Sequence, residues 1–306
     1  MPVWIDGGPR RSRRSRAARA AAATVVPALL VGGALAAWDR SAPASAPSDP
    51  VLVDLPGAAG GHGRGMSQLG AFEYAKQGWT VHQILNKYYP GATLGTVHTG
   101  LPVTVNLTER KRLDVLAPAG AVVGGQQVAP GQAVSIDGTT ATIRAGCGGA
   151  VVGSIPSPDG TVAPPTANQS VPADQVLRFC GDNAGYRGSL VARGGKVLNV
   201  VGLEDYVRGV VPIESSPGWA DQGGTAALQA QAIAARSYAL VRGAERGDEF
   251  TDTQASQVYG GVDREDPRTD AVVASTGGLV MAQAGRVFET EYGASRADDP
   301  ASRPAP

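Results

Sequence analysis

The chain has 306 residues with 27 basic and 27 acidic side chains, 42% apolar residues, 42 glycines and 22 prolines. Glycine and proline make up about a fifth of it, which is loop-rich but below the level of low-complexity disorder, and the length allows one large domain or two ordinary ones. Zero net charge excludes a dominant nucleic-acid footprint, which needs a basic excess to release counterions.

Arg10, Arg11, Arg13, Arg14, Arg16 and Arg19 precede an uncharged stretch from Ala20 to Trp38. A basic region, an apolar run and small residues at Ala34-Leu35-Ala36 or Ala44-Ser45-Ala46 have the layout of an export signal. An uncleaved membrane anchor is the close alternative, since about 19 apolar positions just span a bilayer. A solvated basic tail has no reason to follow its charges with an apolar run. Residues 39–50 read as a Pro/Ala/Ser tether. The expected location is therefore extracytoplasmic, secreted or anchored in the cytoplasmic membrane by the N-terminal segment. Cys147 and Cys180 are the only cysteines. They either stay unpaired or, under oxidising conditions outside the cytoplasm, close one loop worth about 3–4 kcal/mol.

Residues 57–65, GAAGGHGRG, form a glycine loop that leads into a helical pattern from Ser67 to Gln77, with Gly78 as the stop. Thr80 and Gln83 are spaced as a capping box for a second helix carrying Val81, Ile84, Leu85 and Tyr88, ended by Tyr89-Pro90-Gly91. The next hundred residues alternate as short strands, at Val103, Val105 and Leu107 and again around Asp137-Gly138. Residues 153–172 have the composition of a long exposed loop. Two strands are expected across Gly194-Gly195, then a short helix closed by Pro212, and a long helix from Ala226 to Arg242 between Thr225 and Gly243. On that helix Gln229 and Arg236 share one stripe two turns apart. Residues 270–292 read as strands. The fold class is α+β: a mixed body with one long helix and an inserted β-rich module. The divisions are 1–50 (signal or anchor and tether), 51–100 (helical), 101–184 (β-rich) and 185–306 (mixed strand and helix).

Three strings carry the functional reading: Gly61-His62-Gly63-Arg64-Gly65-Met66-Ser67-Gln68, Leu203-Glu204-Asp205-Tyr206 through Pro212-Ile213-Glu214, and Asp252-Thr253 with Gln257-Val258-Tyr259. Together with ALQAQAIAARSYAL in the long helix, they resemble the stage II sporulation protein D family, also called the amidase enhancer family. The resemblance covers residues 57–95 and about 185–296. It implies an extracytoplasmic protein acting on peptidoglycan, as a lytic transglycosylase that cleaves MurNAc-GlcNAc bonds of glycan strands stripped of stem peptides. Glu214 matches the catalytic glutamate. One carboxyl suffices for this chemistry, whereas a hydrolase normally needs a second, for which Glu204 and Asp205 are the near candidates. Val210, Val211, Ile213 and Trp219 could supply a desolvating pocket.

Arg236 matches a helix arginine of the family, and Gln229 stands where many relatives have lysine. With Tyr238, Tyr259, Tyr292, His62 and Arg64 these are the expected substrate-binding residues. For the glycine string and Met66, docking of the first helix on the catalytic body is an equal alternative. Gln254, Ala255 and Ser256 replace the zinc ligands of some relatives, so no metal and no cofactor is expected. The expected partners are glycan strands and, if the chain is a non-enzymatic enhancer or glycan-binding module instead, a cell-wall amidase; no nucleic acid is expected. A zinc hydrolase built on His62, His82 and His98 is a distant third reading, because these histidines lack ligand spacing. Two departures stand out. The GHGxGMSQ string precedes the catalytic segment instead of following it, and Arg296-Ala297-Asp298 replaces the family continuation after Tyr292-Gly293-Ala294-Ser295, an apparent shortening.

Overall fold

The computed structural model describes residues 65–166 and 170–294. The arginine-rich export segment, the tether, His62 and Arg64 lie outside the described residues. Strand β1 (Met66–Ser67) passes directly into helix α1 (Gln68–Lys76), whose N-cap Ser67 accepts from Gly70 N at 2.9 Å. Helix α2 (Val81–Tyr88) opens with the expected capping box of Thr80 and Gln83 and buries Ile84, Leu85 and Tyr88. Thirteen strands follow: β2 (Thr93–Thr96), β3 (Pro102–Asn106), β4 (Asp114–Ala117), β5 (Ala121–Val123), β6 (Gln126–Val128), β7 (Gln132–Asp137), β8 (Thr140–Arg144), β9 (Val151–Pro156), β10 (Thr161–Ala163), β11 (Leu177–Phe179), β12 (Gly185–Tyr186), β13 (Ser189–Arg193) and β14 (Lys196–Gly202). Helices α3 (Leu203–Glu214), α4 (Thr225–Arg246) and α5 (Pro267–Ser275) come next, then β15 (Leu279–Gln283), β16 (Arg286–Val287) and β17 (Tyr292–Gly293).

The fold is α+β. Two antiparallel six-stranded sheets run in the orders β3-β14-β13-β10-β5-β6 and β12-β11-β4-β7-β8-β9. Their alternating apolar residues, among them Val105, Val115, Val134 and Val197, meet Tyr206 and Val210 of α3 in one core. A second core gathers Met66, Phe72, Ile84, Tyr88, Ile233 and Met281. Helix α4 lies between them, giving Leu228, Ala232 and Ala235 to the first and Ala230, Ile233 and Ala234 to the second. A helix buried on both sides is apolar nearly all round, and its alanines let neighbours approach closely. All described residues belong to one compact unit. Cys147 and Cys180 form a disulfide, with Cα atoms 5.5 Å apart.

Several local expectations are corrected. Residues 153–172 are not one long loop: they include the end of β9 and all of β10, which lies inside a sheet with Val162 fully buried. The strand is only three residues long and bounded by Gly160 and Pro164, so composition hid it. Gly160 is required there, since at φ +64° a Cβ would lie 2.2 Å from Ala192 O. The boundary drawn at residue 184 passes through a sheet, because β13 and β14 lie between β3 and β10. Helix α3 does not close before Pro212 but continues through it to Glu214. Helix α4 runs past Gly243 to Arg246. The start of the 270–292 strand region is instead α5, N-capped by Asp266 with Pro267 in its first turn. The hairpin across Gly194-Gly195 forms as expected, both glycines at positive φ as a two-residue turn demands.

Candidate functional site

Helix α3 buries Leu203, Tyr206, Val207, Val210 and Val211 completely, a stripe at helical spacing that fixes its rotation. Gly209 lets the Tyr259 ring rest against it, since a Cβ there would lie 2.5 Å from that ring. Glu214 is the last residue of this helix and is partly buried. Its Oε1 accepts from the Val258 N–H at 2.9 Å. Its main-chain carbonyl, one of those a helix end leaves without an internal partner, accepts from Gln68 Nε2 at 2.8 Å. Burial raises the carboxyl pKa above its ordinary value, opposed in part by the Val258 N–H and the Gln68 amide. The negative end of the helix dipole acts in the same direction as burial, typically by about 0.3–1 kcal/mol.

Amide and phenol groups form a network near this end of α3. Gln68 also donates to Gln231 Oε1 at 3.2 Å. Gln257 is buried; its Oε1 accepts from Tyr206 OH at 3.0 Å, and its Nε2 donates to Ala235 O at 3.2 Å and to Tyr292 OH at 2.7 Å. Burial first, with the nearby Glu214 charge contributing, holds the Tyr206 and Tyr292 phenols well above their ordinary pKa, so both remain protonated. Strands β1 and β17 pair in parallel, Met66 opposite Tyr292 and Ser67 opposite Gly293. That pairing brings the early GMSQ string and the late tyrosine to the end of α3. It also supplies the meeting in space that the unusual motif order requires.

The structure separates the expected residues into two groups. Glu214, Tyr292 and, through its ring 6.4 Å from Tyr292, Tyr238 lie together. Arg236, Gln229 and Tyr259 face elsewhere. Arg236 is fully buried and holds Glu204 through two bonds of 2.8 Å, with a third bond of 2.9 Å to Leu279 O. Gln229 donates to Ser275 Oγ at 3.2 Å. Tyr259 is buried, its OH on Asn199 Oδ1 at 2.9 Å. Val210 and Val211 point into the core, and Trp219 stacks on Phe72 at 4.6 Å. His82 and His98 are exposed on separate segments. Sequence reasoning missed Gln68, Gln231 and Gln257 as neighbours of the site. Gln231 lies two positions from Gln229, which turns it to the other side of α4, and only the position of α1 shows which side faces Glu214.

Two cavities lie away from Glu214. One of about 570 Å³ is beside Arg187, Arg208, Glu265 and Asp270. Another of about 510 Å³ is beside His98, Ser170, Glu204 and Asp205. The charged side chains of the first are paired with one another, Arg187–Glu265 at 2.6 Å and Arg208–Asp270 at 2.7 Å.

Residues 192–282 match the family model for the stage II sporulation protein, SpoIID. This match spans less than a third of the chain. This segment runs from the end of β13 into β15 and contains Glu214, Gln231 and Gln257, while Gln68 and Tyr292 come from outside it. An uncharacterized protein of Brachyspira hyodysenteriae is 33% identical over 102 residues, 32% of this chain and 27% of that protein. The chain thus matches about a quarter of that relative's length. No solved structure matches the chain. The match to the SpoIID model supports a cell-wall related role. Among the described residues no helix is long and apolar enough to cross a membrane.

Proposed function

We propose that the chain is a peptidoglycan lytic transglycosylase with Glu214 as its single acid and base. The observation that carries this reading is the Glu214 carboxyl: partly buried, with its pKa raised by that burial and one oxygen oriented by the Val258 N–H. A carboxyl held in this way is protonated at higher pH than an ordinary one and can act as a general acid. It donates its proton to the glycosidic oxygen between MurNAc and GlcNAc as the C1–O bond breaks. The carboxylate then takes the proton of the MurNAc 6-hydroxyl while O6 bonds to C1, which forms the 1,6-anhydro sugar and restores the acid. No water is consumed.

The placement of the other nearby carboxylates favours this route over hydrolysis. Glu204 and Asp205 precede Glu214 by ten and nine residues on the same helix, about 14–15 Å along its axis. Paired glycosidase carboxyls stand about 5–9.5 Å apart. Both are also committed to arginines, Glu204 to Arg236 and Asp205 to Arg208 and Arg187. The half-buried, protonated phenol of Tyr292 near Glu214 is a donor suited to a sugar hydroxyl.

The test is mass spectrometry of products from denuded peptidoglycan incubated with the purified chain, wild type beside Glu214→Gln. Anhydro ends that form only with wild type are the expected result. Reducing ends would replace this reading with a hydrolase. A folded wild type that yields no product, yet stimulates a cell-wall amidase equally well as Glu214→Gln, would make the chain an enhancer.

A further inference from the structure

We infer that Gln68 is a positioning residue for Glu214, reaching from the start of α1 to hold the last turn of α3 in place. The inference rests on the catalytic reading of Glu214, but its geometry stands independently. Gln68 is 5% exposed, and its Nε2 divides its donors between Glu214 O at 2.8 Å and Gln231 Oε1 at 3.2 Å. These partners are 146 and 163 residues away in the chain. No local folding rule asks for either contact.

The end of α3 is where such a hold is needed. Pro212 lacks an N–H and so withholds the helical bond from the carbonyl four residues before it, which loosens the final turn. The Glu214 carbonyl has no following helical N–H to accept from. Gln68 supplies that bond at the main chain, and Val258 supplies another at the carboxylate, so Glu214 is held at both ends. Gln231 in turn fixes Gln68. Its Oε1 faces Gln68, while its own buried Nε2 has no partner among the described residues. An orphaned buried amide is uncommon, and here it accompanies the orientation that Gln68 requires.

Docking alone does not explain a glutamine at this position. Met66, Phe72 and Ala75 already bury α1 in the second core. The β1–β17 pairing sets the height of Gln68, and Gly65 permits it, since at φ +72° a Cβ there would lie 1.8 Å from Glu291 O. An apolar residue would pack as well as Gln68 but could not hold Glu214.

The test compares wild type with Gln68→Met, which keeps side-chain length and removes the donor, and with Gln231→Met. Gln126→Met, exposed on β6, is the control. Two quantities are read: kcat and KM on denuded peptidoglycan, and the carboxyl titration of Glu214 by 13C NMR, assigned by its absence in Glu214→Gln. Gln68→Met is expected to lower kcat roughly three- to tenfold, the scale of one hydrogen bond, with KM unchanged. Because the Gln68 amide favours the charged carboxylate, its loss moves the Glu214 midpoint to higher pH. Gln231→Met shifts both readouts in the same direction by less. A folded Gln68→Met protein with the wild-type midpoint overturns the inference, as does a kcat that falls only with the folded fraction. If wild type forms no anhydro product, the catalytic reading fails, and the NMR titration still decides whether Gln68 positions Glu214.

Discussion

Glu214 illustrates how a single side chain links stability to function. Its folded pKa lies above its unfolded one because burial disfavours the charge. Below the unfolded pKa both states are protonated and folding carries no penalty. As pH rises through the interval between the two values, the unfolded chain releases its proton first, and above the folded pKa the whole penalty is present. Glu214→Gln cannot ionise, so it should be more stable than wild type at neutral pH, and the difference should vanish below the ordinary carboxylate range. Urea midpoints at pH 7 and pH 3 measure this; a wild type that is the more stable at pH 7 would show that burial does not dominate the site. The same carboxyl, if it is the acid, sets the alkaline limb of kcat, since activity falls as it loses its proton. The glutamate was legible from its motif. The glutamine that holds it was not, because no short-range pattern links Gln68 to a carbonyl 146 residues away.

At the scale of elements, the Arg236–Glu204 pair fastens α4 to the start of α3, and further bonds reach β15 through Leu279 O and the turn before it through Gly278 N. The Arg236 side chain is 0% exposed and that of Glu204 23%. Removing one partner of such a pair leaves the other charge uncompensated, which costs about 3–5 kcal/mol when both are buried. Arg236→Met is therefore expected to lose about 3 kcal/mol in urea unfolding, and Glu204→Gln in the same chain to recover part of it. A rise in KM at unchanged stability would instead return Arg236 to glycan binding. The stripe shared by Gln229 and Arg236 was visible in the sequence. Its facing was hidden because α4 is apolar toward both cores and offers no amphipathic contrast to orient it.

For the whole molecule, the disulfide between Cys147 and Cys180 closes a span of 33 residues and ties the β8–β9 connection to the end of β11. In the chain-entropy model this is worth about 3–4 kcal/mol. Reduction should lower the melting temperature by about 10 °C, given the usual 2–4 °C per kcal/mol at this size, as calorimetry with and without reductant would show. No strand of that sheet contributes a bond to Glu214, Gln68 or Gln257, so kcat at a temperature where the reduced chain stays folded should be unchanged. A fall in kcat under those conditions would make the sheet part of the site.

Features governed by neighbours in the chain were determined by the sequence itself: the Thr80–Gln83 capping box, the Gly194-Gly195 hairpin and the alternating strands. Each rests on a hydrogen bond or dihedral preference that spans a few residues. The tertiary structure alone decided that β10 is an inner strand, that α3 runs through Pro212 to end on Glu214, that Arg236 belongs to Glu204, and that Gln68 meets Glu214. Those outcomes depend on which surfaces the chain brings together. A three-residue strand, a proline in a well-packed helix or a buried amide is stabilised by distant partners, and its own neighbours in sequence do not reveal them.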